Sequence, residues 1–124
     1  MNLISLQTQR QLEDFLKHVG IYDVKMDFPL QFSFPDHQLF IVWRHHQLWM
    51  TVIFSTDLDD DCLKTLFIRV FSGLTTRYLI RPFRITGGVA LNVSLPDEVT
   101  SEQLVAIYRN MLRVFSPWKK RTYR

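Results

Sequence analysis

The chain is poor in residues that staple or ligate a fold. Cys62 is the one cysteine among 124 residues, so no internal disulfide can form, and a reducing compartment is the simplest expectation. Neither Cys-x-x-Cys nor His-x-x-x-His spacing occurs, which removes the usual sequence sign of a zinc site. Glycine is scarce, and Gly87-Gly88 lacks the lysine and the strand-to-helix setting of a phosphate loop. No stretch approaches the roughly 20 uninterrupted apolar residues of a membrane span. The first dozen residues are mostly polar, without the apolar core of a signal peptide. Cytoplasm is the expected location.

One-sided charge is missing as well. The formal net charge is +3, but Lys119, Lys120, Arg121 and Arg124 all lie in the last six residues. Without them 11 basic residues face 12 acidic ones. A body so close to neutrality is not in itself a nucleic-acid footprint, and a short basic tail is most simply solvated. The sequence thus divides into a single domain over 1–118 and a basic C-terminal tail over 119–124.

Apolar residues are plentiful: 47% of the chain, with 14% aromatic. A domain of this length buries roughly 65% of its unfolded surface and needs no staple. The first helix is predicted to begin at Thr8, or a turn earlier at Ser5. Leu12, Phe15, Leu16 and Val19 form its stripe and Gly20 its stop. Asp23 to Phe34 reads as extended, with Pro29 marking an edge strand or irregular lead-in. DLDDD at 57–61 should cap a middle helix whose stripe is Leu63, Leu66, Phe67, Val70 and Phe71, closed by Gly73. Strands over Tyr78–Ile85 and Val89–Leu95 meet at Gly87-Gly88 as a hairpin turn. In the last helix Thr100 and Gln103 have capping-box spacing, and Val99 and Leu104 can form a hydrophobic staple. Leu104, Ile107, Tyr108, Met111, Leu112 and Phe115 continue it to a stop at Pro117. The order is α-β-β-β-α-β-β-α, an α+β domain with an antiparallel sheet packed by helices.

The segment FIVWRHHQLWMTVIF at 40–54 raises the functional question. Leu39–Trp43 and Leu48–Phe54 read as antiparallel strands around a polar tip within Arg44–Gln47. Adjacent histidines alternate faces in a strand, so His45 and His46 are tip residues rather than one ligand pair. The strands are apolar on both faces, where a sheet wetted on one side would alternate more cleanly. Something must cover part of both faces.

Chemistry offers little competition. Asp57, Asp59, Asp60 and Asp61 lack the glycine and distant glutamate of a calcium loop, which leaves helix capping. Cys62 has no recognisable base beside it and reads as packing. Arg77, Arg81 and Arg84 could present a basic strip, or protect a strand edge. No catalytic, metal or cofactor site is expected, and an enzyme is not the reading. Surplus aromatic surface without chemistry favours a protein-binding module, with Trp43, Trp49 and Met50 as candidate anchors.

QLEDFLKHVGI at 11–21 followed by short strands, and VALNVSLPDEVTSEQLVAIYRNMLRVF at 89–115, resemble the small type III secretion chaperones that serve effectors and gatekeeper proteins. The resemblance covers nearly the whole chain through degenerate motifs. It implies a bacterial, cytoplasmic, non-enzymatic protein without cofactor, usually a homodimer and sometimes a heterodimer. Such a protein holds an extended segment of a secreted effector or gatekeeper, keeps it export-competent and aids delivery to the secretion apparatus. On this sequence the resemblance implies substrate grooves formed or supported by Leu12, Phe15, Leu16, Phe32, Phe34, Ile41 and Trp43. It places Leu63, Leu66, Phe67, Val70 and Phe71 near a dimer interface. The chain departs from the family in being basic. The alternatives are a small nucleic-acid-binding or transcription-regulatory protein, supported by the tail with Arg77, Arg81, Arg84, Arg109 and Arg113, and a structural adaptor of the secretion machinery.

Overall fold

The computed structural model describes residues 3–72 and 78–118. The elements run α1 (Leu6–His18), β1 (Leu30–Ser33), β2 (Gln38–Arg44), β3 (Gln47–Phe54), α2 (Asp60–Ser72), β4 (Arg81–Ile85), β5 (Gly88–Pro96) and α3 (Ser101–Phe115), with a short 3-10 turn at Ser116–Trp118. This is the expected α-β-β-β-α-β-β-α order in one α+β domain. Gly73, Arg77 and the tail at 119–124 lie outside the described residues.

The strands form a five-stranded antiparallel sheet in the order β1-β2-β3-β5-β4. Its register sorts the side chains into two faces. Leu30, Ile41, Met50 and Val93 stand in one row, and Phe32, Leu39, Val52 and Leu91 in the next. Most of these side chains are fully buried, packed with Leu12, Phe15 and Leu16 of α1 and Leu104, Ile107 and Met111 of α3. Each such side chain contributes about 1.5–3 kcal/mol by leaving water, which makes this layer the main source of stability. Phe54 and Phe115 stack here with ring centroids 3.9 Å apart. Among the described residues no helix of this kind covers the other face, where Phe40, Val42, Trp49 and Ile53 are half-buried.

Helix ends follow the local signals closely. Ser5 caps α1, accepting the Thr8 N–H at 3.1 Å. The earlier of the two starts is therefore the real one, and Thr8 is free to turn inward. Its hydroxyl bonds Asp97 of the β5–α3 connection. Gln11, at capping-box spacing from Thr8, is turned to α3 instead, where it accepts the Ser101 N–H at 2.7 Å. Gly20 sits beyond the α1 cap at φ +89°, where a side chain would be strained. The Thr100–Gln103 capping box of α3 is complete in both directions.

Several boundaries differ from the sequence reading. The β4–β5 turn uses Thr86 and Gly87, while Gly88 already pairs with Ile85. A Cβ on Gly88 would lie 2.1 Å from the Phe54 carbonyl oxygen, so close approach to β3 dictates this glycine. The strand expected from Tyr78 begins only at Arg81. Pro82 is tolerated because β4 is an edge strand. In the Asp23–Phe34 stretch, regular pairing is confined to Leu30–Ser33, directly after Pro29.

Candidate partner-binding surface

The hairpin tip is a two-residue turn. His45 and His46 have φ of +54° and +59°, the left-handed pair that lets a turn match the twist of its strands. Both are exposed, and no group of His, Cys, Asp or Glu among the described residues is arranged to hold a metal ion. Asp59 is the α2 cap, accepting the Cys62 N–H at 2.8 Å. That bond holds its carboxyl below the usual carboxylate range. The Asp59 carboxylate, with partial burial, pushes the Cys62 thiol up, away from nucleophilic reactivity.

Arg81 and Arg84 do not form one strip, because they occupy opposite faces of β4. Arg84 reaches the Leu58 carbonyl at 3.0 Å and Asp60 at 3.1 Å, tying β4 to the start of α2. Arg69 reaches from α2 to the Val114 carbonyl at 3.0 Å, at the end of α3. The α2 helix is thus fixed by arginines on two sides while its outer stripe stays open.

The residues expected at a groove divide by depth. Leu12, Phe15, Leu16 and Ile41 are fully buried in the core beneath α1. Phe32, Phe34 and Trp43 are half-buried at its margin. The α2 stripe divides similarly. Leu66 and Val70 belong to the core, Leu63 and Phe67 are half-buried, and Phe71 is 53% exposed. Ile68, on the flank of this stripe, is 60% exposed.

One constellation escaped the sequence reading. His37, in the β1–β2 turn, is buried between Asp36 and Tyr108 of α3. Its Nδ1 lies 2.7 Å from Asp36 Oδ1 and its Nε2 lies 2.5 Å from the Tyr108 hydroxyl. A neutral imidazole satisfies both contacts by donating from Nδ1 and accepting at Nε2. The order carboxylate–imidazole–hydroxyl resembles an activated nucleophile, but the chemistry is wrong for one. Burial, then the Asp36 charge, pushes the Tyr108 phenol up to about 12, and the ring is enclosed. The arrangement is a clamp. Phe34 stacks on His37 at 4.7 Å, which fixes one wall of a shallow pocket of about 340 Å³ shared with Gln38, Ser55, Thr56 and Phe115. Residues 71 positions apart make this clamp, so no local spacing could announce it.

Among the described residues no helix is long and apolar enough to cross a membrane. The SsaM family model matches residues 5–117 of the chain. No curated protein matches the sequence. Among solved structures, a chain of the HopA1-SchA chaperone-effector complex is similar with a TM-score of 0.64. The match has 13% identity and covers 91% of this chain and 93% of that one. That likeness establishes a fold shared with that chain.

Proposed function

Since the chain belongs to the SsaM family, we propose that it is a non-enzymatic chaperone that binds an extended segment of a type III secretion substrate in the bacterial cytoplasm. The observation that carries this reading is the family match across residues 5–117. The fold shared with a chain of a chaperone-effector complex supports it. Binding proceeds without turnover. Apolar side chains of the segment occupy grooves at the margin of the core, while backbone pairing along a sheet edge satisfies the segment's own N–H and C=O groups. Held extended, the segment cannot aggregate and stays ready for export.

The half-buried Phe32, Phe34 and Trp43 are suited to touch the segment. Leu12, Phe15, Leu16 and Ile41 contribute from beneath by holding the groove wall rigid. β1 is the better edge for strand addition, because its paired stretch Leu30–Ser33 contains no proline, whereas β4 contains Pro82. Effector and gatekeeper proteins are both suitable substrates.

The outer stripe of α2 supports pairing with a second copy or an unlike partner. Ile68 and Phe71 stand exposed one turn apart, with Phe67 and Leu63 half-buried alongside, the spacing of a helix–helix contact. Native copurification followed by mass spectrometry and mapping of the captured fragment tests the substrate reading. An extended segment of a secretion substrate is the expected catch. Failure of the folded chain to hold any unfolded or extended segment would overturn it.

A further inference from the structure

The charges of this protein are distributed unevenly over its sheet. All 12 acidic residues lie outside the five strands. The charged side chains within the strands are Arg44, Arg81 and Arg84. Arg84 turns to the helix-covered side, where the Leu58 carbonyl and Asp60 accept its hydrogen bonds. Arg44 and Arg81 fall on the opposite, open side, since Arg44 pairs with Gln47 and Arg81 continues the row of Asn92, Thr51 and Phe40.

That open side is otherwise apolar or neutral. Phe40, Val42, Trp49 and Ile53 share it with Phe83, which is 43% exposed. Asn92 donates to Thr51 at 2.6 Å, so even a central polar pair is satisfied within the sheet. The result is a half-buried apolar field with a cation at two corners and no acidic strand residue to balance them.

We propose that this open face binds an acidic, extended stretch of the protein's secretion substrate, reading it by charge as well as by apolar fit. The inference rests on the chaperone function proposed above. A second copy is the wrong occupant, because a two-fold contact through this face sets arginine-bearing surfaces together with no strand carboxylate between them. Single-stranded nucleic acid is a poorer occupant too. It needs a continuous cationic track for successive phosphates, and this face offers two separated guanidinium groups. The Trp49 indole N–H is already engaged, 3.3 Å from the Arg44 carbonyl, which holds that ring against its own hairpin.

The corners set a spacing. Four residues at ~3.4 Å along a strand and three strand steps at ~4.8 Å separate Arg44 from Arg81 by roughly 20 Å. An extended chain crosses that distance in about six residues. The fitting segment therefore carries acidic residues about six positions apart, with large apolar side chains on the sheet-facing positions between them.

The test uses the full chain and three defined probes: a peptide of that pattern, its counterpart with Lys in place of each acid, and a 12-nucleotide oligothymidylate. Backbone amide shifts followed by NMR should move at Phe40, Trp49 and Ile53 with the acidic peptide. The double variant R44E/R81E should weaken that peptide roughly tenfold, the size expected of two exposed charge contacts, and favour the Lys peptide instead. Unchanged thermal unfolding confirms that the variant is folded. Equal binding of both peptides, tighter binding of the oligothymidylate, or shifts confined to α2 would overturn the proposal. If R44E/R81E still captures the native substrate segment as well as the wild type does, the charge reading falls and the chaperone function stands. If the wild-type chain captures no extended segment, the chaperone function itself falls.

Discussion

Replacing Tyr108 by Phe removes one oxygen from the core and tests how the β1–β2 turn is held to α3. The ring remains, along with its edge-on contact to Phe15 at 5.6 Å and 85°. What disappears is the hydroxyl 2.5 Å from His37 Nε2, leaving a buried ring nitrogen without that partner. An orphaned buried acceptor costs about 1–3 kcal/mol, more than the ~1 kcal/mol net value of an ordinary hydrogen bond. For a domain of this length that is a fall of roughly 3–5 °C in Tm per kcal/mol. Urea unfolding at fixed protein concentration measures the loss without confusing it with self-association. The double variant H37L/Y108F replaces both polar partners by apolar groups and should be less destabilised than the sum of the two single variants. A loss below about 0.5 kcal/mol in Tyr108→Phe, or strict additivity in the double variant, would refute the clamp. The same hydroxyl predicts a pH dependence. Burial raises the Tyr108 phenol to about 12, so between the ordinary value near 10 and about 12 the folded chain keeps a proton that the unfolded chain has lost. Stability is full below that window and falls as pH rises through it, and Tyr108→Phe should lack this component.

The remaining predictions concern backbone geometry and caps. Gly88→Ala forces a Cβ to 2.1 Å from the Phe54 carbonyl oxygen and should cost several kcal/mol, read as a lower urea midpoint. Full stability would mean that β3 and β5 do not approach so closely. Thr100→Ala removes the oxygen that accepts the Gln103 N–H at 3.2 Å and should cost about 1 kcal/mol. No change in thermal unfolding would contradict the cap. H45N/H46G supplies residues suited to the two positive φ angles of the hairpin tip and should stabilise by about 0.5–1 kcal/mol. A lower Tm would mean that the histidines make contacts worth more than the backbone strain.

The local signals in the sequence were strong where a single element decides its own geometry. Thr100 with Gln103, Asp59 before α2 and Gly20 after α1 each solve a helix-end problem within a few residues, so their roles are legible. Pro29 pointed to an edge strand or an irregular lead-in, and β1, which starts directly after it, is an edge strand, where a missing N–H is tolerated. The apolar pattern of Phe40–Phe54 pointed to cover on both sheet faces; α1 and α3 supply it on one, and on the other Phe40, Val42, Trp49 and Ile53 are half-buried. The pattern could not divide the faces into a helix-covered core and an open side, since that depends on which rows α1 and α3 choose. For the same reason Leu66 and Phe71 looked alike on the α2 stripe, yet one is in the core and the other in solvent. The His37–Tyr108 clamp was invisible because it joins a turn to a helix through tertiary packing alone. The charge asymmetry of the sheet needed the register, which assigns Arg81 and Arg84 to opposite sides.

These features join into one account. A rigid core and a clamped turn hold the apolar margin in place, α2 leaves Ile68 and Phe71 exposed, and the open side of the sheet carries Arg44 and Arg81. The most direct measurement is hydrogen exchange on the captured partner, compared free and bound to this chain. The account predicts a contiguous partner segment that exchanges rapidly when free and becomes protected on binding. A partner already protected as a folded globule when free, with no segment ordered by this chain, would contradict the account and mark the protein as an adaptor.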